Sequence, residues 1–177
     1  MLTADCISEQ SIRERFTSSI KEVFSTMLGQ HVEIVEAAKL SSDPAWPPLD
    51  GKQGQHDPYV VGTVGFIGNI NGLIYLYLPE KFAHFATAHM LGMNESEVCA
   101  EGVAVVNDAI GELTNMTVGV FKNGLSDLGL ACRLTIPSIL RGTNFTIQPT
   151  SSATRWILYY QCAGQRLVAD IIMKPGE

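Results

Sequence analysis

Four residues in one segment, Asp108, Glu112, Asn115 and Gly119, combine types and spacing that could do chemistry. On a helix of about 100° per residue with Glu112 as origin, Asp108 falls near −40°, Asn115 near −60° and Gly119 near −20°. Val106, Ile110, Leu113, Thr117 and Val120 fall between about 80° and 160°, an ordinary core stripe. The spacing therefore predicts an apolar helix carrying one polar stripe, an acid and an amide a turn apart, with no cation before Lys122. Glutamate can pair with a cation. The asparagine amide cannot ionise, but it offers an acceptor oxygen and two N–H donors. That suits it to holding a water in line with an electrophile, as a glutamine does in GTP hydrolysis. Gly119 would let a second backbone or a partner surface come close.

Glu-x-x-Asn alone should occur by chance in roughly one chain of this size in two or three, so the elements around it must carry the argument. Ile12, Phe16, Ile20, Val23, Phe24 and Met27 recur at helical spacing, and Gly29 ends that helix. His31 to Ala38 alternates as a strand does. Residues 41–58 carry four prolines and no periodicity, a surface excursion in which Trp46 is expected to pack against the body. Tyr59 to Ile67 and Leu73 to Leu78 predict a hairpin joined by the loop Gly68 to Gly72. Pro79 opens a helix over Lys81 to Leu91, and Asn94 with Glu97 predicts a capping box for the long helix. Strands are expected at Cys132 to Leu140, Phe145 to Gln148, Trp156 to Cys162 and Leu167 to Met173, with turns at Gly142 and Gly164. Helices followed by several closely spaced strands predict an α+β fold rather than a doubly wound one, and one domain over 1–177.

Composition excludes other classes. Hydrophobic residues are 46% and charged residues 17%, enough for a sizeable core and a subunit interface. The net charge of −6, with no basic run, argues against nucleic acid as a partner. No apolar run reaches the roughly 18 residues of a membrane span, and the N-terminus lacks a signal pattern, so a cytoplasmic location is expected. Cys6, Cys99, Cys132 and Cys162 form no C-x-x-C pair; Cys132 and Cys162 read as small buried hydrophobes. No metal is expected: His84 and His89 are five residues apart on one helix, a poor ligand spacing.

The order of helix, hairpin, helix and motif helix resembles the CheC/CheX family of chemotaxis phosphatases. The family motif, Asp or Ser, three residues, Glu, two residues, Asn, reads here Asp108-Ala-Ile-Gly-Glu112-Leu-Thr-Asn115. Phe16 to Gly29 looks like the family's opening helix, Gly65 to Leu78 like its first hairpin, and Phe82 to Gly92 like the helix after it. The likeness covers roughly residues 12–173 and is closest to the single-motif CheX type. It implies a CheC-like pseudo-two-fold fold with a mostly antiparallel sheet. Ser18-x3-Glu22-x2-Ser25 then reads as a degenerate first copy of the motif, with serine where asparagine is needed.

The function implied by the resemblance is removal of phosphate from the aspartyl-phosphate of a CheY-like receiver domain. That partner would supply Mg²⁺ and a lysine; this chain would bind no cofactor. Asn115 would orient the attacking water, Glu112 would pair with the receiver lysine, and Asp108 and Gly119 would border the contact. A non-catalytic receiver-binding or flagellar-switch-like module is the alternative. A homodimer joined through sheet edges is also expected.

Overall fold

The computed structural model describes residues 8–35, 58–143 and 147–176. The expected excursion at 41–58, Trp46 with it, lies outside the described residues up to residue 57, as does Phe145. In chain order the elements are α1 (Glu9–Leu28), β1 (Val32–Val35), β2 (Tyr59–Gly68), β3 (Ile70–Pro79), α2 (Glu80–Leu91), α3 (Glu95–Glu101), α4 (Val103–Ser126), β4 (Cys132–Leu134), β5 (Ser138–Gly142), β6 (Thr154–Cys162) and β7 (Gln165–Pro175).

All strands pair antiparallel in one seven-stranded sheet, in the order β1-β6-β7-β3-β2, with β4 and β5 both on the far side of β2. Exchanging α1, β1, β2 and β3 for α4, β5, β6 and β7 turns the order β1-β6-β7-β3-β2-β5 into itself read backwards. The fold is therefore α+β with a pseudo-two-fold axis between β3 and β7, and α1 and α4 are the equivalent helices.

Side chains at alternate positions face opposite sides of a strand. Val60, Val64 and Phe66 of β2, Ile74, Leu76 and Leu78 of β3, and Leu167, Ala169 and Ile171 of β7 accordingly line the helical side and are buried. α1 meets them with Ile12, Phe16, Ile20, Val23 and Phe24, all buried. It also meets α4, where Phe16 and Phe121 stack edge-on at 5.3 Å and the Arg15 Nη1 donates to the Gly124 carbonyl at 2.9 Å. α1 starts at Ser8, whose side chain accepts from the Ser11 N–H, and stops at Gly29 in the left-handed region, φ 62°.

The other face of the sheet carries Tyr59, Val61, Tyr77, Tyr159 and Val168. The fully buried Asp170 sits there as well, held by the Arg155 fork at 2.8 and 2.6 Å, while the Arg155 Nη1 also donates to the Ile147 carbonyl at 3.0 Å. Burial pushes the Asp170 carboxyl up, and the adjacent guanidinium opposes it.

Several boundaries differ from those expected. The β2–β3 hairpin runs through Gly68 and resumes at Ile70, so the loop is shorter than Gly68 to Gly72. Asn69 N–H instead bonds the Ala131 carbonyl, and Gly68 N–H the Asn71 side chain, which tightens the turn. The Asn94–Glu97 capping box is present, but it starts the separate seven-residue α3. Gly102, at φ 86°, breaks the chain between α3 and α4. The expected single strand Cys132 to Leu140 is divided into β4 and β5, and Ile147 and Gln148 lie in no strand. Pro79 is the N-cap residue of α2 and the last of β3 rather than a first helical residue. Gly164 does turn the chain: with Ala163 it forms a two-residue loop in which both φ values are positive, 48° and 73°.

α4 lies on β2 through one close approach. A Cβ at Gly62 would sit 1.9 Å from the Thr114 Oγ1 and 2.8 Å from its Cβ. Thr114 is fully buried and its hydroxyl already donates to the Ile110 carbonyl at 2.7 Å. Gly62→Ala should therefore lift α4 from the sheet and cost about 2 kcal/mol or more, read as a fall in urea midpoint; a midpoint equal to wild type would contradict the contact.

Candidate functional site

α4 forms because Val106, Ile110, Leu113, Thr117, Val118 and Phe121 recur on one side and bury there. Thr114 and Thr117 settle their hydroxyls on the carbonyls of Ile110 and Leu113, so neither leaves a buried polar atom unpaired. Of the expected core stripe only Val120 is partly exposed. The opposite side carries the polar stripe. Asp108 and Glu112 are exposed, and Asn115 and Gly119 are half-buried. The four predicted residues thus share one outward face, with about 4.5 Å of helix rise between Glu112 and Asn115. A Cβ at Gly119 would touch only the Leu134 Cδ1, at 4.0 Å, so the surface beside the stripe is low and open.

The edge of the sheet flanks this face: α4 packs on β2, β4 and β5. Arg141 of β5 ties three elements together. Its Nε donates to the Asn107 Oδ1 at 2.8 Å, one residue before Asp108, and its Nη1 to the Glu80 Oε1 at 3.0 Å. The Arg141 Nη2 is buried with no hydrogen-bond acceptor among the described residues. Sequence reasoning missed this residue, because nothing local in Ser138–Gly142 announces that β5 will lie beside α4.

The degenerate copy occupies the equivalent helix, and Ser18, Glu22 and Ser25 are all exposed on α1. Beside it runs a groove of about 850 Å³ lined by Arg13, Thr17, Ser18, Lys21 and Ile34. A second groove, about 410 Å³, lies on the other sheet face between Leu73, Tyr75 and the segment 147–153. Neither is lined by Asp108, Glu112 or Asn115.

Other chemistry is weakly provided. Among the described residues no group of three His, Cys, Asp or Glu could hold a metal ion. Cys162 is buried and its thiol is pushed up to about 11 by burial, which makes it inert. Cys132, read as buried, is partly exposed. His84 Nδ1 lies 3.6 Å from the Cys99 Sγ, a weak contact joining α2 to α3, and His89 Nδ1 is 2.9 Å from the Phe85 carbonyl oxygen. Among the described residues no helix is long and apolar enough to cross a membrane.

The family model described as chemotaxis phosphatase CheX matches residues 60–161, more than half of the chain, and the chain belongs to that family. No curated protein matches it by sequence. Among solved structures, the CheC-like superfamily protein from Shewanella sp. PV-4 superposes with a TM-score of 0.72 at 24% identity, over 94% of this chain and 99% of that one. The chemotaxis protein CheX from Desulfovibrio desulfuricans gives 0.69 at 20% identity, over 92% and 99%. The CheX–CheY–BeF3–Mg²⁺ complex from Borrelia burgdorferi gives 0.65 at 20% identity, over 91% and 96%. These likenesses establish the shared fold.

Arg141→Ala should remove both bonds that pin the start of α4 to β5 and α2. The expected loss is about 1–2 kcal/mol of stability, held down by solvent screening because Glu80 is partly exposed. Arg141→Lys should recover only part of it, since an ammonium carries its three donors on one nitrogen, whereas the guanidinium reaches Asn107 and Glu80 from two separate ones. Thermal denaturation of the two variants checks this; equal melting for all three proteins would remove Arg141 from the account.

Proposed function

We propose that this protein hydrolyses the aspartyl-phosphate of a CheY-like receiver domain, with Asn115 orienting the attacking water. One observation carries the reading. Within a chain of the CheX family, Asp108, Glu112 and Asn115 come to one accessible face of a rigid, core-anchored helix.

The division of labour follows from side-chain chemistry. The receiver already holds the acyl phosphate, and it would bring Mg²⁺ and a lysine of its own. α4 docks over that pocket. Glu112 pairs with the lysine and sets the register, while Asp108 and Gly119 border the contact. Asn115 enters and holds a water in line with phosphorus through its amide oxygen and N–H groups. It forms no covalent bond. Its half-burial helps, because packing by neighbouring side chains restricts the rotamers from which the amide must work. Positioning one water is worth about 3–4 kcal/mol of barrier, a few hundredfold in rate. Self-association through the open sheet edge at β1 is part of the same proposal.

Decay of phosphorylated receiver, followed with and without this protein, tests it. Asn115→Ala should lower kcat by about a hundredfold or more and leave KM within about twofold. Glu112→Ala should raise KM about tenfold and make it less sensitive to salt, since a charge pair at the docking surface is lost. Full activity in Asn115→Ala would end the catalytic assignment. No acceleration by the wild type, with binding retained, would favour a non-catalytic receiver-binding module.

A further inference from the structure

β4 and β5 form one interrupted edge strand. Leu134 opposes Phe66 and Ser138 opposes Thr63, so four steps along the edge match three along β2. That is a β-bulge of one extra residue at Thr135–Pro137. Thr135 fastens it from both sides: its N–H donates to the Gly65 carbonyl at 2.8 Å, and its hydroxyl accepts from the Gly65 N–H at 2.9 Å. Pro137, with its fixed φ and no N–H, suits the unpaired stretch. The bulge leaves Ile136 87% exposed, more than any other large hydrophobic among the described residues.

Its position relative to the motif follows from two anchors. Leu134 lies beside Gly119, and Arg141 is bonded to Asn107. The edge therefore runs antiparallel along α4, from the level of Gly119 to that of Asn107. Residues 135–137 fall between those levels, alongside Thr114 to Thr117. The flank turns with the helix: Asn107 lies near −140° and Gly119 near −20° on the same wheel, so midway it borders the Asn115 edge of the stripe. Leu134, two residues before Ile136, faces the helices, and Thr135 between them lies against Gly65 on the opposite face.

A single exposed isoleucine is ordinary on a surface. One held rigidly on a bulge beside an acidic recognition stripe is placed for contact. We propose that Ile136 is the apolar anchor of the receiver-docking surface, seated in a hydrophobic depression of the partner while Glu112 and Asn115 address its phosphorylated pocket. This rests on the phosphatase reading and adds a specificity-determining residue to it. The stripe supplies charge and chemistry but no apolar area, and interfaces draw most of their affinity from a few buried anchors.

The test measures phosphorylated-receiver decay with Ile136→Ser and Ile136→Asp, beside Asn115→Ala, and the sedimentation of each protein alone. Both Ile136 variants should raise KM, by about tenfold for serine and more for aspartate, with kcat within about twofold and the melting temperature unchanged. Asn115→Ala should show the opposite split. Unchanged KM in both Ile136 variants would overturn the anchor while Asn115→Ala still judges the phosphatase reading separately. A change in sedimentation with unaltered KM would also overturn it and assign Ile136 to contact between copies of this chain. Loss of kcat instead of KM would refute it as well, by making the bulge part of the water-positioning machinery.

Discussion

The close approach of α4 to β2 governs the rest. Thr114 can sit on the sheet only because position 62 has no Cβ, and the distance left there is too small for any other residue. With Thr114 pressed against β2, the helix has one rotational setting. Val106, Ile110, Leu113 and Phe121 must then point into the core, and Asp108, Glu112 and Asn115 must point away from it. Close-packed interiors do not deform continuously, so a helix seated in this way presents its outer face with little angular spread. Arg141 secures the start of the helix, and Arg15, bonded to the Gly124 carbonyl, secures its far end.

A helix held at both ends is a suitable frame for the water-orienting role proposed for Asn115. A water-orienting amide contributes through geometry rather than reactivity, and misplacement by about 1 Å can cost a hundredfold. Loops would give less precision for the same side chain. The pseudo-two-fold frame provides two such helices, yet α1 carries Ser25 where α4 carries Asn115. A serine hydroxyl is shorter than a carboxamide and has fewer hydrogen-bonding positions, so the same backbone placement does not give the same reach. Both helices supply core contacts, and at the motif positions only α4 carries both an acid and an amide on its outward face.

Much of this was legible in the sequence, and the reason is periodicity. α1 and α4 repeat their apolar residues every three to four positions, and β2, β3, β6 and β7 are long apolar or alternating runs. Those signals survive without tertiary context. The motif stripe was readable for the same cause, since the spacing of Glu112 and Asn115 fixes their shared face once the helix exists. What could not be read were features set by contacts between distant segments. Gly102 breaks α3 from α4 through a positive φ, so a capping box correctly recognised at Asn94 was attached to the wrong helix. The hairpin at Asn69 tightened because its N–H finds the Ala131 carbonyl, sixty-two residues away in sequence. Arg141 was invisible because its partners Asn107 and Glu80 come from two other elements.

The bulge in the edge strand belongs to the same class of non-local features, and it explains why one predicted strand became two. From Cys132 to Leu140 the chain has the residues of a continuous strand except for Pro137, which cannot donate to a ladder. A proline on an edge strand need not end pairing, provided its missing N–H points to solvent. Here the chain instead gains a residue, and the ladder resumes one register later, with the Thr135 hydroxyl accepting the Gly65 N–H in place of a backbone carbonyl. That solution also protects an exposed edge, since a bulge beside a proline interrupts the row of free N–H and C=O groups on which another sheet could grow. The interruption that discourages indiscriminate pairing is what turns Ile136 outward beside α4. Edge protection and partner contact then need not compete for the same residues, because the bulge blocks strand addition with its backbone and offers a partner only its side chain.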